Sequence, residues 1–286
     1  MTSQHRPDWN PSALPPWRGG AVEGAAAGVA LCVLADNPGP MTLDGTNTWL
    51  LARPGAAGAV VVDPGPDDEP HLRRVLAAAE RRGVRVVQVL LTHGHLDHSA
   101  GARRMAELTS APVRALDPAH TLGAEGLSAG EVLEVDGLRL DVLGTPGHTA
   151  DSLCFALPDQ RAVLTGDTVL GRGTTVVAHP DGRLEQYLTS LQRLERLAAE
   201  HDLEQVLPGH GPVLAVPDAT PVDVVRFYLR HRQARLDQVR AAVAAGARTA
   251  WDVVERVYAD VDRRLWPAAE LSVRAQLDYL GVTPTA

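Results

Sequence analysis

A chain of 286 residues with 45% apolar content is long enough to bury a sizeable core, which excludes a disordered or fibrous protein. All 27 basic residues are Arg, set against 35 Asp and Glu, and the net charge is −8. Residues 221–286 carry 10 Arg against 8 acids, so there is no basic arm, and bulk charge gives no support to nucleic-acid binding beyond a local groove.

Residues 1–20 are polar and Pro-rich and read as an irregular segment, with Trp9 and Trp17 as candidate pins to the body. They contain no apolar signal core, and no stretch of about 18 apolar residues follows, so a cytoplasmic chain without membrane contact is expected. The missing Lys and abundant Ala read as the coding bias of a GC-rich bacterial genome. Apolar runs at 28–35 and 48–53 flank two turn-rich stretches and predict strands, as does Val60-Val61-Val62-Asp63 before Pro64-Gly65-Pro66. Leu72, Val75, Leu76 and Ala79 at helical spacing predict a helix from Glu69 to Arg82. Val84–Thr92 follows as an apolar strand, then a helix from Ser99 to Leu108. The second half repeats the theme, with strands at 131–135, 138–143, 152–157 and 161–166, a helix from Leu184 to Glu200 and a short strand at 205–207. Cys32 and Cys154 sit in apolar runs and read as core thiols rather than a disulfide framework. Two packed sheets covered by helices are the expected architecture. After Pro217 and Pro221 come helical stretches at 222–243, 249–258 and 268–280, read as a small appendage. The division expected is an N-terminal segment at 1–20, a catalytic domain at 21–217 and a helical unit at 218–286.

Three His and one Asp fall within six residues as His93-x-His95-x-Asp97-His98, after an apolar strand and before a helix. A strand fixes where such a loop begins, so several side chains can point at one spot. Thr145-Pro146-Gly147-His148, Thr165-Gly166-Asp167 and Pro208-Gly209-His210 each place one further ligand type just past a strand, beside a Gly that permits close approach. Together these segments offer five His and two Asp, a set that suits two metal ions. Imidazole and carboxylate without thiolate favour zinc, with iron or manganese as alternatives. One carboxylate shared by both ions would hold them about 3.5–4 Å apart, and a bridging water would lose a proton near neutral pH and become the nucleophile.

These residues resemble the metallo-beta-lactamase superfold, whose five motifs occur here in order: Asp63 after a strand, the His93–His98 run, His148, Asp167 and His210. The resemblance implies a four-layer αβ/βα sandwich with the metals at one sheet edge. It implies His93, His95 and His148 on one ion, Asp97, His98 and His210 on the other, and Asp167 between them. Asp97 and Asp167 would then be the catalytic carboxylates, and Asp63 would orient the loop through hydrogen bonds. The stretches Asn37–Thr48 and Gly166–Val176, with Tyr228-Leu229-Arg230-His231-Arg232, are similar to the beta-lactamase-like protein 2 group. That group implies a winged-helix-like C-terminal unit and, from its animal members, endoribonuclease activity on single-stranded RNA.

Departures from neighbouring groups narrow the reading. Asp stands at 167 where zinc beta-lactamases carry other ligands, which argues against antibiotic hydrolysis. Gly stands at 94 where glyoxalase II enzymes usually carry His. The interval from Asp167 to His210 leaves no room for the second domain of the large RNA-processing nucleases.

Three functions stand side by side. One is a dinuclear zinc hydrolase cutting single-stranded RNA. Another is a glyoxalase II-like hydrolase of a small-molecule ester or thioester. The third is a metal- or nucleic-acid-binding protein with residual catalysis, against which the full ligand set argues. Arg172, Thr174 and His179 are candidate substrate contacts; Asn47 either borders the site or sets a turn. His5, His71, His120, His201 and His231 read as solvated. Arg226, Arg230, Arg232, Arg235 and Arg240 read as a solvated helix face unless they turn to the cleft and track an RNA backbone.

Overall fold

Apolar runs of five or six residues closed by Gly or Pro form the strands. The structure, a computed structural model, describes Leu14, residues 16–215 and residues 217–283. Trp9 and His5 lie outside the described residues. The first sheet contains β1 (Gly20–Ala21), β2 (Ala30–Leu34), β3 (Asn47–Leu51), β4 (Gly58–Val62), β5 (Arg85–Leu90) and β6 (Val113–Arg114), in that spatial order. The second contains β7 (Val132–Val135), β8 (Leu138–Gly144), β9 (Leu153–Leu157), β10 (Ala162–Gly166), β11 (Gln205–Pro208) and β12 (Leu214–Ala215), again side by side in chain order. β1, β6 and β12 are absent from the sequence-based expectation because two residues carry no periodicity.

Neighbouring strands are antiparallel except β4–β5, β5–β6 and β10–β11. A parallel pair needs a long crossover. Between β4 and β5 it is α1 (Glu69–Arg81), and between β10 and β11 it is α4 (Leu184–Glu200). Asp68 caps α1 by accepting from the His71 N–H. Leu72, Val75, Ala78 and Ala79 of α1 pack on the outer face of the first sheet, together with Met105 of a helix at Ala102–Thr109. Tyr187, Leu191, Leu194 and Ala198 of α4 pack on the outer face of the second. Between the sheets lies a third core, holding Trp49, Leu51, Val60 and Val62 against Leu140, Phe155, Leu157, Leu164 and Leu207. The layers are therefore helix, sheet, sheet and helix, and both Cys are buried within them.

The order of helices in the chain, counting a one-turn helix α2 (Leu96–Ser99) and the Ala102–Thr109 helix as α3, continues with α5 (Pro221–Ala244), α6 (Ala250–Val257) and α7 (Trp266–Tyr279). The periodicity after Ser99 foresees α3 but not α2, whose single turn begins inside the His run. Helix α5 is capped at Thr220 by a reciprocal box with Asp223. Its Val224, Val225, Tyr228 and Leu236 join the core on the second sheet, whereas Val239 and Ala242 join a separate core with α6 and α7. The expected division at 217/218 thus falls just ahead of a helix that enters both cores. Among the described residues no strand follows Ala215, and the C-terminal unit is built of helices. No helix among them is long and apolar enough to cross a membrane.

Candidate metal centre

Strand direction explains why ligands scattered over the chain meet. β4 and β5 run in parallel, as do β10 and β11, and β8 shares their sense because it is antiparallel to β9, itself antiparallel to β10. The C-terminal ends of five strands thus gather at one edge, carrying Asp63, the His93–His98 loop, His148, Asp167 and His210. Backbone bonds tie the two sheets there: Leu153 N–H donates to the Thr92 carbonyl at 2.7 Å, and Asn47 N–H to that of Gly209 at 2.8 Å. Close approach demands Gly at 209, where an added Cβ would lie 2.4 Å from Asp167 Oδ1.

The ring nitrogens that face inward are fixed by the bonds that the outward ones make. A carbonyl only accepts, so His148 Nδ1 donates to Val176 O (2.7 Å) and His210 Nδ1 to Gly45 O (3.1 Å). His98 Nδ1 donates to Asp63 Oδ2 (2.8 Å). Thr92 Oγ1 gives its own hydrogen to Asp63 Oδ2 (2.7 Å), so it accepts from His93 Nδ1 (3.0 Å). Each of these four rings therefore presents Nε2 to the cluster.

His95 Nδ1 lies 3.0 Å from His93 Nε2 and 3.1 Å from His148 Nε2. On the other side, His98 Nε2 and His210 Nε2 are 3.2 Å apart, and Asp97 Oδ2 lies 3.3 Å and 3.1 Å from them. Asp167 lies between the two groups, with its oxygens 3.4 Å from His98, 3.3 Å from His210 and 3.7 Å from His148. A tetrahedral ion bound at about 2.0–2.1 Å spaces its ligands by about 3.3 Å, the scale seen in both groups. Asp167 Oδ1 is buried and accepts no hydrogen bond, which a cation would satisfy. The residues present therefore fit two ions, and two of the three ligand groupings that the geometry brings together are the sets expected from the motifs. The third, His93 with His98 and Asp167, spans the gap between them.

Asp63 holds a left-handed backbone (φ +52°), strained for a non-Gly residue, and is buried. Its Oδ1 accepts from Thr92 N–H at 2.8 Å, so one carboxylate fixes Thr92 and His98, and through Thr92 also His93. His71, expected in solvent, is buried, with Nε2 2.8 Å from Thr48 Oγ1, and Thr48 donates to the Asp63 carbonyl. It lies four residues before Val75 on the apolar face of α1, a spacing that identifies it as buried.

Burial opposes charge on His210, but Asp167 and hydrogen bonds to it and to Asp97 raise its pKa to about 9. His98 also rises despite burial, through Asp167 and Asp63. Asp97 and Asp167 fall, again against burial, through His210 and His98. His93 and His148 are lowered, first by burial; His98 adds to this at His93 and His95 at His148, in both cases against Asp167. In the metal-free chain the raised His210 contributes stability that is complete below its ordinary value of 6.5 and is lost as pH rises through about 9. Metal loading near neutral pH must displace that proton. The heat of zinc binding at about pH 7 should therefore shift with the ionisation enthalpy of the buffer; a heat independent of buffer would contradict this.

Beside the cluster opens a cavity of about 290 Å3, lined by His148 and Asp167 of the cluster, by Met41, Leu43, Leu170 and Val176, and by Val261 and Leu265 of the C-terminal unit. Arg172 and Thr174, the candidate substrate contacts, line it, with Arg172 Nη2 2.9 Å from Asp44 Oδ2. Two expectations need correction. His179 is not among the lining residues; its N–H donates to the Leu271 carbonyl, which ties that segment to α7. Asn47 is buried and donates to the carbonyls of Pro208 and Gly211, both at 2.9 Å, so it braces the His210 loop instead of meeting substrate. Its Oδ1 accepts from Trp17 Nε1, which is how Trp17 pins the N-terminal segment.

His231, also expected in solvent, lines the cavity with its Nε2 3.4 Å from Thr174 Oγ1. Arg232 and Arg235 line it too, whereas Arg226 pairs with Glu195 and Arg240 with Asp237 away from it. Val224, Tyr228, Arg232 and Leu236 repeat every four residues, so Arg232 lies on the buried stripe of α5, a signal present in the sequence.

Residues 41–210 match the model of the metallo-beta-lactamase superfamily. The chain belongs to that superfamily. Its members are typically dinuclear metal-dependent hydrolases, and this chain is one of its hydrolases, with a His and Asp cluster able to hold metal. Residues 249–280 match the beta-lactamase associated winged helix domain. The chain is 32% identical over 80% of its length to the beta-lactamase-like protein 2 homolog of Caenorhabditis elegans, 76% of which is covered. It is 33% identical over 79% of its length to the atrochrysone carboxyl ACP thioesterase of Aspergillus fumigatus, 72% of which is covered. It spans only 63% of another curated relative, 35% identical to it. A beta-lactamase domain protein from Burkholderia ambifaria has the same fold, with a TM-score of 0.75 at 24% identity over 96% of this chain and 92% of that one.

Proposed function

We propose that the chain is a dinuclear zinc hydrolase of a small ester or thioester with an apolar acyl part. The observation that carries this is the cavity, where Met41, Leu43, Leu170, Val176, Val261 and Leu265 share the lining with His148 and Asp167. A chamber of about 290 Å3 with aliphatic side chains beside the cluster suits a small acyl group. Single-stranded RNA calls for an open basic groove with rings for stacking. The cavity offers Tyr258 as its aromatic side chain, and the Arg235 guanidinium covers that ring at 4.7 Å. The fungal relative named as a thioesterase supports the same choice.

His93, His95 and His148 would hold one ion, Asp97, His98 and His210 the other, and Asp167 both. When bound, such a pair lowers the pKa of a water and polarises a carbonyl. The chain's own residues do the remainder. Asp63 and the Val176 and Gly45 carbonyls keep the imidazoles aimed. Leu43, Leu170 and Val176, which line the cavity, would shield a bound acyl group from bulk water, and Asp97, 28% exposed where Asp167 is buried, would pass a proton between the site and solvent.

Zinc-loaded protein should hydrolyse an acyl thioester far above the Asp167→Ala background and leave single-stranded RNA and a chromogenic cephalosporin intact. RNA cleavage above that background, with no thioester turnover, would overturn the assignment in favour of a nuclease.

A further inference from the structure

On the α5 wall of the cavity two guanidinium groups lie without an acid partner among the described residues. Arg232 is 6% exposed. Its Nη2 donates to the Thr175 carbonyl, its guanidinium sits 5.0 Å over the Tyr187 ring, and its Nε is buried with no hydrogen bond. Arg235, half-buried three residues on, donates to the Val257 carbonyl and to Gln238 Oε1. Among the described residues no carboxylate comes within 4.0 Å of either, although Arg226 and Arg240 of the same helix each have one. A buried cation without counter-charge is unfavourable, so one kept at a cavity wall calls for an anion from outside the chain.

We propose that Arg232 and Arg235 form an anion-binding subsite, which takes a carboxylate or phosphate carried by the substrate while its acyl carbon lies at the metal cluster. This deepens the acyl-hydrolase reading and rests on it. The subsite and the metal centre are joined through one peptide: Arg232 holds the Thr175 carbonyl, and the next carbonyl, that of Val176, holds His148. A guanidinium fork matches carboxylate and phosphate alike, and two forks at one wall favour a group with two or three oxygens over a neutral one. His231, between the same walls, has its pKa pushed down to about 4 by burial and then by the Arg232 and Arg235 charges, which marks the local potential as positive.

Four thioesters separate the two sources of the anion: hexanoyl and adipoyl groups, each on N-acetylcysteamine or on phosphopantetheine. With metal-loaded enzyme, kcat/KM should rise by about tenfold or more for the anionic member over hexanoyl-N-acetylcysteamine, the scale of a charge-assisted hydrogen bond. A gain with adipoyl places a carboxylate on the acyl part; a gain with phosphopantetheine places a phosphate on the thiol. Arg232→Gln and Arg235→Gln should bring the anionic-to-neutral ratio towards one, through KM more than kcat. Arg235, less buried, carries the test if Arg232→Gln unfolds. Equal turnover of all four, or a ratio unmoved by Arg235→Gln, would overturn the subsite. If none of the four is hydrolysed, the acyl-hydrolase reading fails instead. Calorimetry then decides the subsite: adipate or inorganic phosphate binding tighter than hexanoate, with the gain lost in Arg235→Gln, supports it, and equal binding overturns it.

Discussion

Asp167→Ala should lower bound zinc from about two ions per chain to about one or none and reduce hydrolysis on the order of 10³-fold. Asp167 follows β10 at the meeting point of the two ligand groups, in contact range of His98, His210 and His148. Among the described residues no other carboxylate contacts both groups, since Asp97 reaches only His98 and His210. Removing it leaves the converging imidazoles with Asp97 and Asp63 as their carboxylate partners, and a second ion would lose its shared anion. The fold should survive, because the imidazoles lose a partner that they do not need when neutral. Elemental analysis with thermal unfolding checks both parts, and two ions retained by a folded variant would remove Asp167 from its bridging place.

Asp63→Asn isolates the other half of the design, which is aim. Asn tolerates the left-handed backbone at this position and keeps the side-chain shape. Its oxygen can still accept from Thr92 N–H, but the amide that replaces Oδ2 cannot accept from His98 Nδ1. His98 is then free to turn or to change tautomer, and Thr92 loses the acceptor that aligns it with His93. Zinc affinity should fall about 10–100-fold, with about 1–3 kcal/mol of stability lost from the unmet buried groups. Competition with a chromophoric chelator measures the first, and an unchanged affinity would show that Asp63 does not orient the loop.

The metal centre was legible in the sequence for a physical reason. Each ligand sits in a short loop past a strand end, and His93, His95, His148, Asp167 and His210 are next to Gly, so their placement depends on local strand direction more than on distant packing. His148, Asp167 and His210 could be matched to the His93–His98 loop without knowing how the sheets meet. The cavity was not legible, because its wall depends on which face of α5 turns inward. Arg232 was grouped with Arg226 and Arg240 as one polar face, although its four-residue spacing from Tyr228 and Leu236 sets it on the buried stripe. Asn47 was ambiguous for a similar reason. Its role is defined by the Pro208 and Gly211 carbonyls, more than 160 residues away in the chain. His179 follows the Gly166–Val176 stretch closely in sequence, but its N–H bond to the Leu271 carbonyl ties that segment to α7.

The helical unit contributes more than closure. Tyr258, Val261, Leu265, Ala269 and Ser272 complete a chamber that the sandwich alone leaves open. On the proposed reading, residues outside the metal motifs would contribute to substrate choice, as function rests on the site and not on the fold alone.

Anomalous diffraction at the zinc edge from zinc-loaded crystals tests the central claim most directly. Two peaks about 3.5–4 Å apart are predicted, one among His93, His95 and His148 and one among Asp97, His98 and His210, with Asp167 between them. A single peak at saturating zinc, or a second peak away from Asp97, His98 and His210, would contradict the dinuclear account.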